Sequence, residues 1–349
     1  MPFHLSVSQG GYTPVISVIV DGQEVAAGFY TRLIKATIRD EAGQTSDQLT
    51  VDLDDAGNAI AIPPPKAKIS VSLGYKETGL VTVGIYELQS VSLRGSVDGG
   101  ETMVLQASAA DLKKALKGQD REAFEGKTVR EIVETIARRN GLRATVDPEI
   151  GDIKIPYKAR IDSSEIDFLT TLGDEVGAVI KPMGGRLVAA RKGNAKAVSG
   201  VSLPPIVIER EDCSEWEIDP EGRAQYGKVK AAWIDQKTGK RRVEKAETGL
   251  EGPDFVVRAP LPSKEQAEKW AQAEARRLTR NTGSGSFSLA GRPEAQAEAD
   301  VIAGSSFRDG IAGTWRADAV EHEFSKDGYT TKVEVKALED GSSGKTEDK

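Results

Sequence analysis

Few residues of this chain could do chemistry at neutral pH. It contains two histidines, His4 and His322, and one cysteine, Cys213. A histidine-based triad needs a nucleophile and an orienting acid beside one imidazole, and the sequence has no Gly-x-Ser-x-Gly turn. His322 lies in a predicted strand, DAVEHEF, which favours a structural or surface imidazole. Since a structural zinc site takes about four Cys and His ligands, we expect neither a catalytic histidine nor a zinc centre.

Carboxylates are plentiful in the sequence, but no pair is set apart by apolar neighbours. Two carboxylates that flank a sugar ring can hydrolyse a glycosidic bond. The candidate groups are Asp174 and Glu175, late in a predicted helix, and Glu209, Glu211 and Asp212, just before Cys213. Both groups lie in charged runs, which are typical of solvated faces. The sequence therefore favours surface roles for them.

Two short segments resemble ligand-binding loops without completing them. DLDDAG, which begins at Asp52, starts like a calcium loop, but Ala56 fills a ligand position and Pro63 stands where the closing glutamate is needed. Gly-Ser-Gly at Gly283 precedes a predicted strand, so it lacks the helix N-terminus that binds phosphate. The sequence thus predicts no catalytic, cofactor-binding or metal-binding residue, no cofactor and no enzyme activity.

Composition narrows the classes of partner. The 349 residues carry a formal net charge of -7, which argues against general binding to nucleic acid or acidic membranes. Aromatic residues make up 5%, too few for the stacking platforms that hold single-stranded nucleic acid. The first residues show no signal-peptide pattern, and no apolar run approaches the ~20 residues of a membrane helix. We expect about two domains in a chain without a membrane anchor.

Residues 15–110 alternate apolar with polar side chains in short segments, which is typical of β-strands with one buried face. The segments are VISVIVDG, LIKATIRD, DQLTVDLDD, AKISVSLGY, VTVGIYELQSVSLRG and ETMVLQAS. Gly, Asp and Pro divide them, and Pro63–Pro65 marks an edge or a connection. Six strands at this spacing favour an antiparallel sandwich or barrel, assigned here to residues 1–110.

Residues 111–198 change to a helical period and predict a mixed α/β insert. ADLKKALKG is a short helix candidate, and in TVREIVETIARRNGL a capping box of Thr128 and Glu131 starts a second helix that Gly141 ends. In the Arg160–Lys192 unit, a capping box of Asp162 and Glu165 is expected to start a helix that closes at Gly177, followed by the hairpin AVIKPM-GG-RLVAAR. We expect Phe168 to anchor this unit against the preceding helix.

Residues 199–338 return to β-patterns around one helix. The strand candidates are PIVIERED, WEIDP, YGKVKAAWID, FVVRAP, GSFSLAG, DVIAG, WRADAVEHEFS and YTTKVEVKAL. The helix should begin with a capping box of Ser263 and Gln266. Residues 339–349 are polar and rich in Gly and Ser, which predicts a disordered tail. Two β units around an insert suggest an internal duplication, although no repeat is visible in the sequence.

Three blocks of sequence, in this order, carry a family resemblance. The first is LGY…GLVTVGIYELQSVS; the second joins KTVREIVETIARRNGL to the unit containing Asp167, Phe168 and Leu169; the third runs from GSFSLAGRP to YTTKVEVKAL, with His322 and Gly328–Thr331 in its closing strands. Together they resemble the late control protein D family, the tail hub proteins of contractile-tailed phages. They are also similar to the N-terminal hub portion of VgrG spike proteins. The chain stops where VgrG continues into a needle, so the spike would be a separate protein.

The resemblance implies a fold and a set of partners. The expected fold is α+β and mainly β, with two tube-protein-like β-barrels and a mixed α/β insert between them. The implied function is a structural baseplate hub: a homotrimer whose six barrels form a pseudo-hexameric ring between the hexameric tail tube and the trimeric central spike. Tape measure and baseplate wedge proteins are further candidate partners. Phage DNA would pass through the channel without specific binding, and the hub would belong to the virion after assembly in the host cytoplasm.

Two alternatives remain open from the sequence. One is a peptidoglycan-active tail protein: a glycan hydrolase that would use the carboxylates above, or a LysM-like binder, since EGKTVREIVETIARRNGL resembles the first half of a LysM repeat over one amphipathic helix. A hub of a phage-derived bacteriocin or of a type VI secretion particle would share the chemistry of a phage hub and differ in the particle it serves.

Overall fold

The computed structural model describes most of the chain. The described residues are 3–4, 11–42, 47–97, 100–109, 119–183, 186–191, 203–219, 226–235, 238–280 and 283–338. The predicted helix ADLKKALKG, the Gly184-Gly185 turn and the predicted tail 339–349 lie outside the described residues. No helix in the described ranges combines the length and the apolar character needed to cross a bilayer.

The first β unit, called unit 1, comprises six main strands, with minor elements at its start. In chain order its elements are β1 (Phe3–His4), β2 (Pro14–Val20), β3 (Gln23–Glu24), α1 (Ala27–Arg32), β4 (Leu33–Glu41), β5 (Gln48–Asp54), β6 (Lys68–Tyr75), β7 (Gly79–Ser96) and β8 (Gly100–Ala109). Alternate side chains of these strands turn inward, as the sequence pattern predicts. The buried cluster includes Ile16, Ile38, Leu49, Leu73 and Tyr86 from five of the strands, so the sheet curves around one core.

A first insert, residues 119–191, follows unit 1. Its elements are β9 (Gln119–Thr128), α2 (Val129–Arg139), β10 (Arg143–Val146), α3 (Pro148–Gly151), β11 (Lys154–Ser164), α4 (Glu165–Val176), β12 (Ala178–Met183) and β13 (Arg186–Arg191). β9 and β11 form a two-stranded ribbon, and β10, β13 and β12 form a three-stranded sheet. Both helices α2 and α4 contribute to its core, in which the rings of Phe124 and Phe168 lie 5.3 Å apart.

Local signals fix the ends of these helices, with one correction. The capping box of Thr128 and Glu131 forms as predicted, and Gly177 ends α4 in the left-handed conformation at φ 69°. The predicted cap at Asp162 is wrong. Ser164 is the cap, because its Oγ accepts the amide of Asp167 at 3.1 Å. Asp162 remains in β11 with φ 50°, where its carboxylate accepts two hydrogen bonds from Arg121.

The second β unit, called unit 2, encloses a second insert. Unit 2 contains β14 (Ile206–Ile208), a short 3-10 turn (Arg210–Asp212), β15 (Cys213–Asp219), β19 (Ser284–Ala290), β20 (Asp300–Ala303), β21 (Gly313–Ser325) and β22 (Gly328–Lys336). The second insert, residues 226–280, contains β16 (Lys228–Ile234), β17 (Arg241–Glu247), β18 (Asp254–Val256) and α5 (Lys264–Arg280). The insert has its own three-stranded sheet and a core that includes Val229, Ala231 and Ala271.

The start of α5 only half matches the sequence expectation. Ser263 Oγ accepts the amide of Gln266 at 3.3 Å, as a cap should. Gln266 Oε1 is buried without a hydrogen-bond partner, so the reciprocal half of the predicted capping box is absent. The domain boundaries 1–110, 111–198 and 199–338 stay predictions.

The two units share one continuous sheet. Its strand order is β1-β2-β6-β7-β8-β5-β4-β21-β22-β19-β15, and β14 and β20 branch from β21. The prediction of an α+β, mainly β fold is confirmed. Within the described residues no strand pairing closes either unit into a separate barrel; instead each curved sheet is joined edge to edge to the other through β4 and β21.

Candidate assembly surfaces

The histidine of β21 is a buried structural residue. His322 lies in β21 and is 2% exposed. Its Nδ1 lies 3.0 Å from Thr331 Oγ1 and 3.0 Å from the Tyr329 hydroxyl, and its Nε2 lies 3.3 Å from the Ala295 carbonyl oxygen. Burial lowers the pKa of His322 to about 4 and raises the pKa of Tyr329. A neutral imidazole closed off from solvent by three partners can hold the fold together but cannot reach a substrate.

The acidic segment at Asp52 and the cysteine serve local structure. Asp54 Oδ1 accepts the amide of Ala56 at 3.0 Å, and the buried Asp55 accepts the amide of Ile60 at 3.0 Å. Both carboxylates therefore order a turn. Burial raises the pKa of the Cys213 thiol to about 11, which disfavours the reactive thiolate. Across the described ranges, no group of three or more His, Cys, Asp or Glu is arranged to hold a metal ion.

The first insert contains a charged cluster that the sequence pattern does not predict. Arg160 and Glu165 are both buried, and Arg160 Nη1 lies 3.3 Å from Glu165 Oε1. Arg139 bridges Glu165 and Glu122, with nitrogen–oxygen distances of 2.7 Å to each. Asn140 also donates to Glu165 at 2.6 Å. Because Arg139 ends α2 and Glu165 begins α4, the cluster ties the two helices together; two arginines and two glutamates leave it balanced.

The junction of the two units, called the seam, is the antiparallel pairing of β4 with β21. Thr37 lies opposite Glu323, Ile38 opposite His322 and Arg39 opposite Glu321. A hydrogen bond outside the strand pairing also joins the two units, from the amide of Ala297 to the carboxylate of Asp40 at 2.8 Å. The seam therefore joins residues almost 290 positions apart, a pairing that no local sequence pattern indicates.

Charged side chains cross the seam on its solvent side. The Arg39 guanidinium donates two hydrogen bonds to Glu334, at 2.9 and 3.0 Å, and one to Glu41 at 2.7 Å. These carboxylates raise the pKa of Arg39, and Arg39 in turn lowers the pKa of Glu334. Lys35 lies 3.4 Å from Glu323. Exposed pairs of this kind are each worth about 1 kcal/mol or less, so they select the register more than they stabilise the fold.

Units 1 and 2 have the same strand order. Numbering the six main strands of each unit along the chain, both sheets run 1-4-5-6-3-2: β2-β6-β7-β8-β5-β4 in unit 1 and β14-β20-β21-β22-β19-β15 in unit 2. The units differ in that strand 1 is antiparallel to strand 4 in unit 1 and parallel to it in unit 2. The shared order indicates an internal duplication.

Four β-bulges of the two units coincide as well, although a further bulge at Val83 in β7 has no counterpart in unit 2. Strand 5 carries a single-residue bulge at Gln89 in β7 and at Asp318 in β21. Strand 2 carries one at Ile34 in β4 and at Ser214 in β15. Bulges are fixed features of a fold, so these four positions align the units residue by residue. Tyr86 and Trp315, both fully buried, become equivalent in this alignment.

One face of the shared sheet is polar and mainly acidic. Side chains on the other face form the two cores, so the residues alternating with them point to solvent. We call this solvent side the polar face; it extends from β15 to β7. Its carboxylates include Glu41, Asp52, Asp54, Glu87, Glu215, Glu217, Asp219, Glu321, Glu323 and Glu334, and its cations include Lys35, Arg39, Arg94, Lys332 and Lys336.

The sequence of the chain was compared with protein-family models and with curated proteins. No protein-family model matches the chain. The chain is 27% identical over 362 residues to the probable baseplate hub protein of Escherichia phage 186, covering 92% of each. It is 27% identical over 375 residues to the protein of the same name in Escherichia phage P2, covering 96% of each. The resemblance to phage tail hub proteins is confirmed.

Solved structures show that the fold occurs in tail proteins. The 43 kDa tail protein of prophage MuSo2 from Shewanella oneidensis matches with a TM-score of 0.68 at 13% identity, covering 94% of this chain and 99% of that one. A chain of the Francisella PdpA–VgrG complex matches with a TM-score of 0.58 at 12% identity, covering 95% of this chain and 53% of that one. Both likenesses are likenesses of fold.

Proposed function

We propose that this chain is a structural baseplate hub protein of a phage tail. Three copies would form a pseudo-hexameric ring that joins the hexameric tail tube to the trimeric central spike. The observation that carries the proposal is the duplication: one chain holds two units of identical strand order, joined edge to edge through the seam. The names of the two phage relatives, matched over nearly their whole length, support the same function.

The duplication supports the ring because it gives one chain two nearly equivalent faces. Three chains present six units, which suits a sixfold tube, while the ring as a whole has only threefold symmetry, which suits a trimeric spike. Eight strands of each chain, from β7 to β15, lie side by side in the shared sheet and span both units. A ring of three chains would place these strands side by side around a central channel.

The polar face is the proposed wall of that channel. Carboxylates outnumber cations on this face and give it a net negative charge, and duplex DNA carries a negative charge at every phosphate. Like charges repel, so this wall would let DNA pass without adhering to it. The absence of a specific DNA site is part of the proposal, as is a location in the virion tail after assembly in the host cytoplasm.

A non-enzymatic role is likewise proposed. His322 is closed off, Cys213 is held in the thiol form, and the described carboxylates at Asp54 and Asp55 order a turn. The relatives are named as hub proteins. The fold likeness to a chain of the PdpA–VgrG complex favours one second candidate, a hub of a type VI secretion particle, which would assemble in the same manner.

The test is the mass of the purified full chain by light scattering, alone and co-expressed with the spike protein of the same tail. A trimer in either condition, with ring-shaped particles by electron microscopy, is the expected result. A strict monomer in both conditions would overturn the hub ring. Incubation with purified peptidoglycan completes the test, because release of soluble muropeptides would contradict a purely structural role.

A further inference from the structure

Several strand edges of the sheet lack a neighbouring strand within the part of the chain that the structure describes: besides the short strands β1, β3 and β14, these are β15 and the second half of β7. β15 pairs with β19 on one side only. β7 pairs with β6 along residues 79–87 and with β8 along residues 86–96, so no strand lies beside residues 90–95 on the side away from β8. An unpaired edge exposes main-chain donors and acceptors that another strand can satisfy.

The seam shows what can fill such an edge. In the alignment of the two units, β15 is equivalent to β4 and β7 is equivalent to β21. The seam is therefore the pairing of strand 2 of one unit with strand 5 of the other. The remaining strand 2 and the remaining strand 5 both have an open edge, and they lie at opposite ends of the stretch of eight strands from β7 to β15, where a single chain cannot bring them together.

We propose that β15 of one copy adds to the open edge of β7 in the next copy, in the antiparallel register of the seam. This inference rests on the proposed ring and names its contacts. The bulges at Ile34 and Ser214, and at Gln89 and Asp318, fix the register. The pairing then places Trp216 opposite Gly95, Glu217 opposite Arg94 and Ile218 opposite Leu93 of the next copy.

Exposure of a core-facing residue supports the pairing. Leu93 lies opposite the fully buried Met103 and points to the core side of its sheet, yet it is 55% exposed. Its equivalent in unit 2, His322, is 2% exposed because β4 covers it with Ile38. Leu93 is thus a core-facing side chain that no neighbouring strand covers. Ile218 of another copy would cover it, as Ile38 covers His322.

Size and charge are complementary at the same register. At the seam, small Ala36 lies opposite large Phe324; in the proposed pairing, large Trp216 lies opposite Gly95, so the volumes exchange sides. Charge pairs occur on both sides of the comparison. At the seam, Arg39 of β4 lies opposite Glu321 and Lys35 lies 3.4 Å from Glu323. In the proposed pairing the signs exchange strands, because acidic Glu217 of β15 would lie opposite basic Arg94 of β7. Opposite charges directly across a strand pair are favourable, and like charges are unfavourable.

Disulfide trapping tests the register. In the full chain carrying Cys213→Ser, we combine Ile218→Cys with Leu93→Cys, whose Cα atoms would lie within the reach of a disulfide across an antiparallel pair. Mild oxidation, in the presence of the spike protein, should yield covalent chains of up to three copies on a denaturing gel. The matched control combines Glu217→Cys with Leu93→Cys, which point to opposite faces. Cross-linking of the control as efficient as that of the test pair would overturn the proposed register.

A charge exchange gives a second readout that does not depend on oxidation. Glu217→Arg alone should raise the concentration needed for half-maximal trimer formation by about tenfold, equal to 1.4 kcal/mol, and adding Arg94→Glu should restore it. Both residues are exposed in the single chain, so the fold should be unaffected. If trimers form but the cysteine pair does not cross-link and the charge exchange does not change trimer formation, the hub ring stands and this pairing is refuted. A chain that never trimerises would refute both.

Discussion

Acidification should destabilise this protein through a single imidazole. His322 is buried at the seam, opposite Ile38, and its ring nitrogens are committed to Thr331, Tyr329 and the Ala295 carbonyl. The carboxylate of Asp40 favours the protonated ring, but the cost of burying the charge outweighs it and lowers the pKa. Protonation would place a cation between the two units, so the perturbation acts on the element that joins them.

The size of the effect follows from the difference in pKa. The folded-state value is about 4, against 6.5 for the unfolded chain. Because the unfolded chain binds the proton more tightly, the free energy of unfolding falls as the pH drops below about 6.5, and the loss is complete below about 4. At 1.36 kcal/mol per unit, the full loss is about 3 kcal/mol, of which about 2 kcal/mol is lost between pH 7 and pH 5.

Urea unfolding at pH 7 and pH 5, followed by tryptophan fluorescence, measures this loss. Other carboxylates also titrate as the pH falls, so the comparison is with His322→Gln, which keeps a donor and an acceptor but has no proton to gain. The wild type should lose about 2 kcal/mol more than the variant between the two pH values. Equal losses in both proteins would show that His322 does not titrate in this range, and the reasoning from burial would be refuted.

Two further predictions concern the inserts. Phe168→Asp should unfold the first insert, because it buries a charge in an apolar core at a cost of several kcal/mol; limited proteolysis should then cleave this region, whereas Thr171→Asp, on the exposed side of the same helix, should leave it resistant. Gly177→Ala and Gly141→Ala both place a side chain at positive φ, near 69° and 68°, at a cost of about 1 kcal/mol. Only the new Cβ at position 177 has a close neighbour, Ala273 Cβ of the second insert at 3.3 Å, so the melting temperature of Gly177→Ala should fall further than that of Gly141→Ala. Equal decreases would show that the two inserts can move apart at this contact without cost.

Local signals made the strands and the helix ends readable from the sequence. The alternation in unit 1 follows from one buried and one solvated face, and the box of Thr128 and Glu131 forms within a single turn. Where two local signals compete, the sequence misleads. Asp162 and Ser164 can both cap α4, and the register of β11 with β9 extends to Ser164, so the helix begins two residues later than predicted.

The non-local features could not be read in this way. The seam pairs strands whose residues are hundreds of positions apart, and the duplication is visible only through strand order and bulges. After alignment by the bulges, equivalent residues such as Leu93 and His322, or Gly95 and Phe324, have little chemistry in common. The second insert hides the repeat further, because it separates β15 from β19, whereas the equivalent β4 and β5 are joined by a short connection.

The unequal connections within two equal units have a consequence for how the tail changes symmetry. Both inserts occur once per chain: one follows the last strand of unit 1, and the other divides strands 2 and 3 of unit 2. In the proposed ring, a partner that touches only the sheets would meet six similar surfaces, while one that touches the inserts would meet three. The change from the sixfold symmetry of the tube to the threefold symmetry of the spike would then take place within a single polypeptide, whose two units have the same strands but different connections between them.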